Sequence, residues 1–382
     1  MTTAVTATDA RRSLVDALTT TGSLTHPGWT AAFAAVPREV FVPRFAIRTP
    51  EGRLVLAAGD PGYLDGVYTD TTLVTRWDAA DTAISSSSEP SLMARMLDAF
   101  DVPPGARVLE IGTGTGYNTA LLCHHLGDRN VTTIDVDPAL TTLATERLAT
   151  AGHHPHVITG DGTAGHPDSA PYEGILATCG VHRIPPAWLA QVRPGGIIVT
   201  NISNGIARLT VTDDGTAAGR FLPAPAMFMR ARPNAGHVAP AARQYSGLIA
   251  TGTGQRRTAV LPAEVDEEGF YRELVFATAM ETWMEHHDVL ALSLTDSDTG
   301  AALHGLVHPP TSSWARIAPQ ASGRALVEYA GPRDVWDERL RLTTEWIAAG
   351  QPGPDAYTLT VSQTGAHTLQ RGGHAPAAWT TT

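Results

Sequence analysis

Three glycines at alternate positions, Gly112, Gly114 and Gly116, are the residues whose type and spacing best suit the binding of a small ligand. They follow an apolar run over residues 108–111 and precede a helical pattern over residues 118–126. A turn without Cβ atoms lets a ligand approach the backbone closely. Strand, glycine turn and helix form the first unit of a doubly wound α/β sheet. The spacing G-x-G-x-G differs from the dinucleotide fingerprint G-x-G-x-x-G, so a different cofactor is expected.

Acidic residues follow the glycine turn at the ends of two further predicted strands. Asp135 ends a β-branched run about 20 residues past the turn, where a carboxylate can accept hydrogen bonds from both ribose hydroxyls. Asp135 could instead cap a helix, and Asp137 competes with it for the ribose, although Pro138 indicates that Asp137 begins the next helix. Asp161 follows a predicted strand over residues 156–159 and can bond the adenine amino group.

This arrangement is similar to that of methyltransferases that use S-adenosyl-L-methionine (SAM). We therefore predict SAM as the cofactor. The predicted cofactor-binding residues are Glu110, Gly112, Thr113, Gly114, Gly116, Asp135, Asp161 and Gly162.

The composition restricts the class of protein. With 382 residues, 43% hydrophobic and 17% charged, the chain is expected to be globular and to bury a large core. The net charge of -11 argues against binding of a nucleic-acid backbone. Neither a signal-peptide core nor a run of 18 apolar residues occurs, so we expect a cytoplasmic protein with no membrane partner.

Cysteine and histidine usage predicts neither a disulfide nor a metal site. Cys123 and Cys179 are expected to be packed thiols in a reducing compartment. The fifteen histidines include two sets, His153, His154 and His156 in one loop and His286 and His287 in another, and neither set has the i, i+4 or C-x-x-C spacing of zinc ligands. The sequence therefore predicts solvated loop histidines and no bound metal.

Further motifs, in a fixed order, resemble those of the protein-L-isoaspartate O-methyltransferase family. They are Ala35-Val-Pro-Arg-Glu-Val-Phe-Val-Pro43, Ser88-Glu-Pro90, the glycine turn, Gly160-Asp-Gly162 and Ala170-Pro-Tyr172. The resemblance covers about residues 10–232 and is specific because so many motifs keep their order. It implies that a side-chain or isoaspartyl carboxylate is methylated by SAM.

A run of four serines, residues 85–88, precedes a predicted helix over residues 92–100. In the resembling family a serine two residues before a proline holds the substrate carboxylate, which corresponds to Ser88. Here Glu89 stands between Ser88 and the proline, where the family has an uncharged residue, so Ser87 is a second catalytic candidate. A serine at this place could also cap the helix.

The elements divide into two predicted domains. Residues 1–232 are expected to form a Rossmann-like α/β domain with a mixed, mostly parallel sheet, in which residues 9–100 supply helices and a substrate loop. Residues 233–255 are rich in Pro, Ala and Gly and predict a linker. Residues 256–382 are expected to form an α+β domain that recognises substrate and that the family's repair enzymes lack.

Long members of the family with such an extension resemble enzymes that modify ribosomally made peptides. The resemblance implies methylation of an aspartate in a pre-cyclised peptide, whose ester then gives an aspartimide or isoaspartate. The alternative is repair of L-isoaspartyl residues in damaged proteins. A second alternative is a SAM-binding protein without catalytic activity. The expected partner is a peptide or protein that carries Asp or isoAsp.

Overall fold

The structure is a computed structural model that describes residues 6–49, 52–78, 82–235, 242–262, 279–295, 300, 302–320, 323–372 and 377–381. The helices of these ranges are α1 (Ala7–Thr20), α2 (Pro27–Ala35), α3 (Arg38–Phe41), α4 (Tyr63–Val67), α5 (Pro90–Phe100), α6 (Tyr117–Leu126), α7 (Pro138–Thr150), α8 (Pro186–Gln191), α9 (Ser246–Thr251), α10 (Ala279–Glu285) and α11 (Val335–Ala348). None of them has both the length and the apolar character that crossing a bilayer requires.

The strands belong to three sheets. They are β1 (Arg44–Thr49), β2 (Gly52–Ala57), β3 (Leu73–Trp77), β4 (Ala83–Ser87), β5 (Val108–Ile111), β6 (Val131–Asp135), β7 (His156–Thr159), β8 (Tyr172–Val181), β9 (Val192–Ile202), β10 (Gly205–Val211), β11 (Ala217–Phe221), β12 (Gln255–Val260), β13 (Leu290–Thr295), β14 (Ala302–His308), β15 (Ser313–Gln320), β16 (Arg324–Ala330), β17 (Tyr357–Val361), β18 (His367–Arg371) and β19 (Ala377–Thr381).

The large sheet has the order β19-β18-β17-β11-β10-β9-β8-β5-β6-β7. The five strands from β7 to β9 pair in parallel, and the chain reverses direction across the sheet between β5 and β8. Helices α5 to α8 pack against these strands. The predicted α/β fold with a mixed sheet is confirmed, and the crevice between β5 and β8 is the switch point where such sheets bind ligands.

Strand alternation separates the core of this sheet into two layers. Val108 and Leu109 are neighbours in β5, yet they belong to two different apolar clusters. Val199 and Ile198 in β9 divide in the same way, because successive side chains of a strand point to opposite faces. Both faces of the parallel strands are therefore buried, which explains their nearly continuous apolar sequences.

A smaller sheet, with the order β2-β1-β3-β4, carries the serine run at its last strand. Strand β4 ends at Ser87, and α5 begins three residues later at Pro90. Phe45 and Leu73 of this sheet are fully buried in the same cluster as residues of α1, α2 and α5. The N-terminal helices and this sheet therefore hold the serine run at a defined place beside the large sheet.

The C-terminal strands do not all form a separate domain. Strands β12 to β16 form a five-stranded antiparallel sheet that packs against α11, whereas β17 to β19 extend the large sheet. Strand β17 pairs antiparallel with β11, and its Leu359 and Val361 are fully buried in the core cluster of β8 and β9. Strand β17 joins the large sheet because β11 without a neighbour would expose a row of unpaired backbone groups. The antiparallel share of the sheet is consequently larger than the sequence predicts.

Candidate active site

A cavity of about 520 Å³ lies at the carboxyl ends of β5, β6 and β8, at the switch point of the large sheet. The residues predicted to bind cofactor or substrate that line it are Ser87, Ser88, Gly112, Thr113, Gly114, Asp135, Asp161 and Gly162. Residues separated by more than seventy positions thus converge on one space, and its volume is that of a typical small-ligand site. Glu110 and Gly116 do not line it.

The glycine turn forms one wall of the cavity. Gly112 and Gly114 have φ of 97° and 53°, in the left-handed region that favours glycine. A Cβ on Gly112 would lie 2.9 Å from the Thr178 hydroxyl, so only glycine fits between the turn and β8. Gly116 instead begins α6 and packs against Phe41 and Ala144. Its contribution is therefore the close packing of the turn, and not a contact with ligand.

Asp135 faces the glycine turn from the end of β6. Its Oδ2 accepts a hydrogen bond from the Gly114 N–H (2.9 Å), and its Oδ1 accepts one from the Asp137 N–H (3.1 Å). Burial raises the pKa of Asp135, whereas these two N–H groups lower it. Asp137 caps α7 by accepting from the Ala139 N–H, which confirms its interpretation as a helix start. Asp135 thus lines the cavity while Asp137 caps α7, and the binding of a ribose by Asp135 stays a prediction.

Asp161 and Gly162 line the cavity just beyond the end of β7. The Asp161 carboxylate accepts bonds from the N–H (2.9 Å) and the hydroxyl (2.7 Å) of Thr163, which fix its orientation. A Cβ on Gly162 would lie 2.4 Å from the Ile111 side chain, and the Gly162 carbonyl accepts a bond from the Trp188 indole. Binding of adenine by Asp161 stays a prediction that this placement allows.

Glu110 lies behind the glycine turn rather than in the cavity. Its side chain is fully buried and accepts bonds from Asn118 (2.7 Å), Thr119 and Thr133 (2.7 Å). Burial raises the pKa of Glu110 to about 7. The prediction of a cofactor contact is not supported, because the side chain of this strand residue points toward α6 and β6. Glu110 supports the turn indirectly, since Thr133 also bonds Thr113 (2.7 Å).

The serine run faces the glycine turn across the cavity, and the Ser86 carbonyl would lie 3.7 Å from a Cβ on Gly114. The two predicted catalytic serines differ in their surroundings. Ser87 is buried, and its Oγ accepts bonds from Nε and Nη2 of Arg38, both at 3.3 Å. Ser88 is half-buried and accepts an Arg38 bond only at its backbone carbonyl (3.1 Å). The Ser88 hydroxyl is therefore the better placed of the two to meet a substrate.

Arg38 is a functional residue that the sequence analysis missed. Its guanidinium is fully buried and also donates to the carbonyls of Val67 (2.8 Å), Thr69 (3.2 Å) and Thr71 (3.3 Å). Burial lowers the pKa of Arg38 to about 10, so the group stays charged at neutral pH. It holds the segment after α4 and the serine run in one geometry. The sequence signal that could have identified Arg38 was its place within the motif over residues 35–43.

The last wall comes from an extended segment over residues 227–232. It runs beside the end of β8, where the Gly180 N–H donates to the Met229 carbonyl (2.9 Å) and the Ala231 N–H donates to the Gly180 carbonyl (2.8 Å). Arg230 and Arg232 of this segment line the cavity, and the charge of Arg232 lowers the pKa of Asp135. The segment thus brings positive charge to a cavity whose other charged groups are carboxylates.

A doubly wound sheet, a glycine turn and a ribose-type acid around one switch-point cavity define a SAM-dependent methyltransferase. A family model described as protein-L-isoaspartate(D-aspartate) O-methyltransferase matches residues 9–219. The chain belongs to this family. The family's enzymes are SAM-dependent carboxyl methyltransferases.

Individual relatives agree with this assignment. The Ignicoccus hospitalis protein-L-isoaspartate O-methyltransferase is 32% identical over 222 residues, which are 56% of this chain and 94% of that protein. The Thermotoga maritima enzyme is 32% identical over 179 residues, 46% of this chain and 51% of that protein. A solved structure of a protein-L-isoaspartate O-methyltransferase aligns with 97% of this chain and 99% of its own, with 22% identity and a TM-score of 0.53.

The relatives differ in length. The Ignicoccus hospitalis protein is covered over 94% of its length by 56% of this chain, so this chain is longer than that relative, as expected for a C-terminal extension. The solved structure, in contrast, aligns with 97% of this chain, so its fold also continues beyond the methyltransferase core. A C-terminal extension alone does not distinguish a peptide-modifying enzyme from a repair enzyme.

Proposed function

We propose that this chain transfers a methyl group from SAM to the free carboxylate of L-isoaspartyl residues in peptides and proteins. The observation that carries the proposal is the family match, because the matched residues 9–219 contain both the serine run and the glycine turn. Repair of damaged proteins is therefore the main functional hypothesis. Methylation of aspartate in a pre-cyclised peptide is the competing hypothesis.

The residues around the cavity fit the cofactor. When bound, SAM supplies an electrophilic methyl group on a sulfonium sulfur. Gly112 and Gly114 leave space for a ligand at the turn, Asp135 presents carboxylate oxygens for ribose hydroxyls, and Asp161 can accept from an adenine amino group. The hydrogen bonds that Asp135 and Asp161 already accept hold both carboxylates in place before a ligand arrives.

The substrate carboxylate needs no general base, because it is ionised at neutral pH. It is a weak nucleophile mainly because water solvates it, so the protein must remove that water and orient one oxygen toward the methyl group. The Ser88 hydroxyl can donate a hydrogen bond to the second oxygen. With SAM bound, the oriented oxygen would take the methyl group from the sulfonium sulfur, with a methyl ester and S-adenosylhomocysteine as the products.

The distribution of charge suits this task. Arg38 lies behind the serine run, where Ser87 and backbone carbonyls use its donors. The arginine therefore attracts an anion to the cavity without forming a direct ion pair that would lower the nucleophilicity of the carboxylate. On the side of the serine run, neutral hydroxyls are therefore the donors that line the cavity.

A comparison of two peptide substrates, with a third peptide as control, tests the proposal. One is a linear peptide with a single L-isoaspartate, and the other is a cyclised peptide with aspartate and the same flanking residues. Transfer of labelled methyl groups gives kcat/KM for each, and the linear aspartyl peptide serves as the matched control. We expect the isoaspartyl peptide to exceed the linear aspartyl peptide by about 100-fold, the discrimination that displacement by one methylene can support.

The other outcomes each favour a different function. A higher kcat/KM for the cyclised aspartyl peptide would replace repair by peptide modification. A folded protein that binds SAM by calorimetry but methylates none of the three peptides would support the non-catalytic alternative. Because SAM binding is measured separately, a misfolded sample is recognised and excluded.

A further inference from the structure

The structure brings together three potential metal ligands that the sequence keeps apart. Cys123 lies in the last turn of α6, Asp128 in the 3-10 turn that follows, and His153 in the turn after α7. Their Sγ, carboxylate oxygen and imidazole nitrogen all lie within 4.8 Å of one another. None of the three lines the SAM cavity, which adjoins the opposite end of α6 at Tyr117.

We propose that Cys123, Asp128 and His153 form a site for one divalent transition-metal ion, with Zn²⁺ as the best chemical match. Zinc accepts sulfur, nitrogen and oxygen ligands together, and it is often held by three protein groups and one water. A thiolate ligand argues against Mg²⁺ and Ca²⁺, which require oxygen. Ligand atoms on tetrahedral zinc lie about 3–4 Å apart. Because the three ligand atoms already lie within 4.8 Å of one another, side-chain shifts of about 1 Å would bring them to this spacing.

The backbone fixes the three residues before any ion arrives. The Gly127 N–H donates to the Cys123 carbonyl (2.8 Å), which ends α6 directly before Asp128. The His153 N–H donates to the Leu148 carbonyl (2.8 Å), which ends the turn after α7. One Asp128 oxygen accepts from the His154 N–H (2.6 Å), and the other lies 2.9 Å from His153 Nδ1. The bond from the His154 N–H orients Asp128 as outer partners of metal ligands do, whereas the contact between Asp128 and His153 joins two proposed ligands and would be exchanged for bonds to the ion.

An ion can reach the site from solvent. The Cys123 thiol is buried, whereas the side chains of His153 and Asp128 are 16% and 32% exposed and leave a route from solvent. Burial and the neighbouring Asp128 raise the pKa of the Cys123 thiol. The incoming ion must therefore displace the thiol proton to water as the sulfur–metal bond forms.

Titration of the full-length, chelator-treated protein with Co²⁺ tests the site, because cobalt replaces zinc and absorbs light. We expect one ion per chain, visible bands of a four-coordinate ion, and a near-ultraviolet band from thiolate-to-cobalt charge transfer. Zn²⁺ should displace the cobalt and raise Tm by about 2–5 °C at saturating concentration. The charge-transfer band should vanish in Cys123→Ser and persist in Cys179→Ser.

Variants of Asp128 and His153, which are more exposed than Cys123, test the site even if Cys123→Ser does not fold. Asp128→Asn and His153→Gln should weaken binding at least about tenfold, whereas His156→Gln, a control at the first residue of β7, should bind like wild type. In the wild type, Zn²⁺ should also protect Cys123 from alkylation. Binding without a thiolate band, or with equal affinity in Asp128→Asn and His153→Gln, would assign the ion to surface histidines and overturn the proposal.

Discussion

Replacement of Arg38 by lysine tests how the serine run is held. Arg38 donates to five acceptors, namely the Ser87 hydroxyl and the carbonyls of Val67, Thr69, Thr71 and Ser88. Lysine keeps the charge but has only three donors, so at least two buried acceptors lose their partner. At about 1–3 kcal/mol for each unsatisfied group, the loss of two partners should lower the free energy of unfolding by about 2–6 kcal/mol.

The same substitution should slow catalysis more than it weakens cofactor binding. Without the bond to its carbonyl, Ser88 is free to shift, and a displacement of about 1 Å can reduce a rate about 100-fold. SAM affinity should change little, because Arg38 donates no hydrogen bond to the glycine turn or to Asp135 among the described contacts. Urea unfolding, methyl transfer and SAM calorimetry measure the three quantities. Arg12→Lys, a change at an exposed arginine, is the control.

Two results would contradict this reasoning. Wild-type stability in Arg38→Lys would mean that the buried acceptors find other partners. Reduced stability with an unchanged kcat would mean that Arg38 contributes to folding alone and does not position Ser88.

Four further predictions follow from the site and the sheet. Asp135→Ala should lower SAM affinity at least about tenfold by calorimetry, through loss of two ribose bonds; unchanged affinity in a folded variant would remove the assignment. Ser88→Ala should reduce kcat with SAM affinity retained, whereas Ser87→Ala should mainly reduce stability, and the reverse pattern would exchange their roles. The pKa of Glu110 is raised to about 7 by burial, so the folded state binds more protons and its stability should fall as pH rises from about 4.5 to 7. Glu110→Gln should remove up to about 3 kcal/mol of that pH dependence in urea unfolding, and equal slopes would show that the carboxylate is not buried as described. Truncation after residue 255 removes β17–β19 and should lower Tm and cause aggregation in light scattering; a stable, monodisperse fragment would show that β11 needs no cover.

The sequence predicts the parallel strands well because their signals are local. The ends of β5, β6 and β7 coincide with the predicted runs 108–111, 131–135 and 156–159, where apolar and β-branched residues precede glycine or acid. The glycine turn and Asp135 meet for the same reason, since parallel strands bring their carboxyl ends to one edge.

The remaining features depend on contacts between distant residues. No local pattern shows that β17 pairs with β11, because β-branched strands look alike whether they join one sheet or another. Glu110 resembles a ligand contact in sequence, but its neighbours Thr119 and Thr133 enclose it once the fold forms. The Cys123, Asp128 and His153 cluster likewise follows from two helix ends that meet, and not from a recognised spacing.

The pairing of β11 with β17 also determines when a newly made molecule can finish folding. Domains begin to fold from the N-terminus during synthesis, and long-range pairings form late. Every residue that lines the SAM cavity lies before residue 236, yet the edge of its sheet stays open until the final strands leave the ribosome. A chain that ends early would thus carry a complete set of active-site residues together with an edge that recruits other chains. The last strands therefore serve to cover the sheet edge and supply no residue to the cavity.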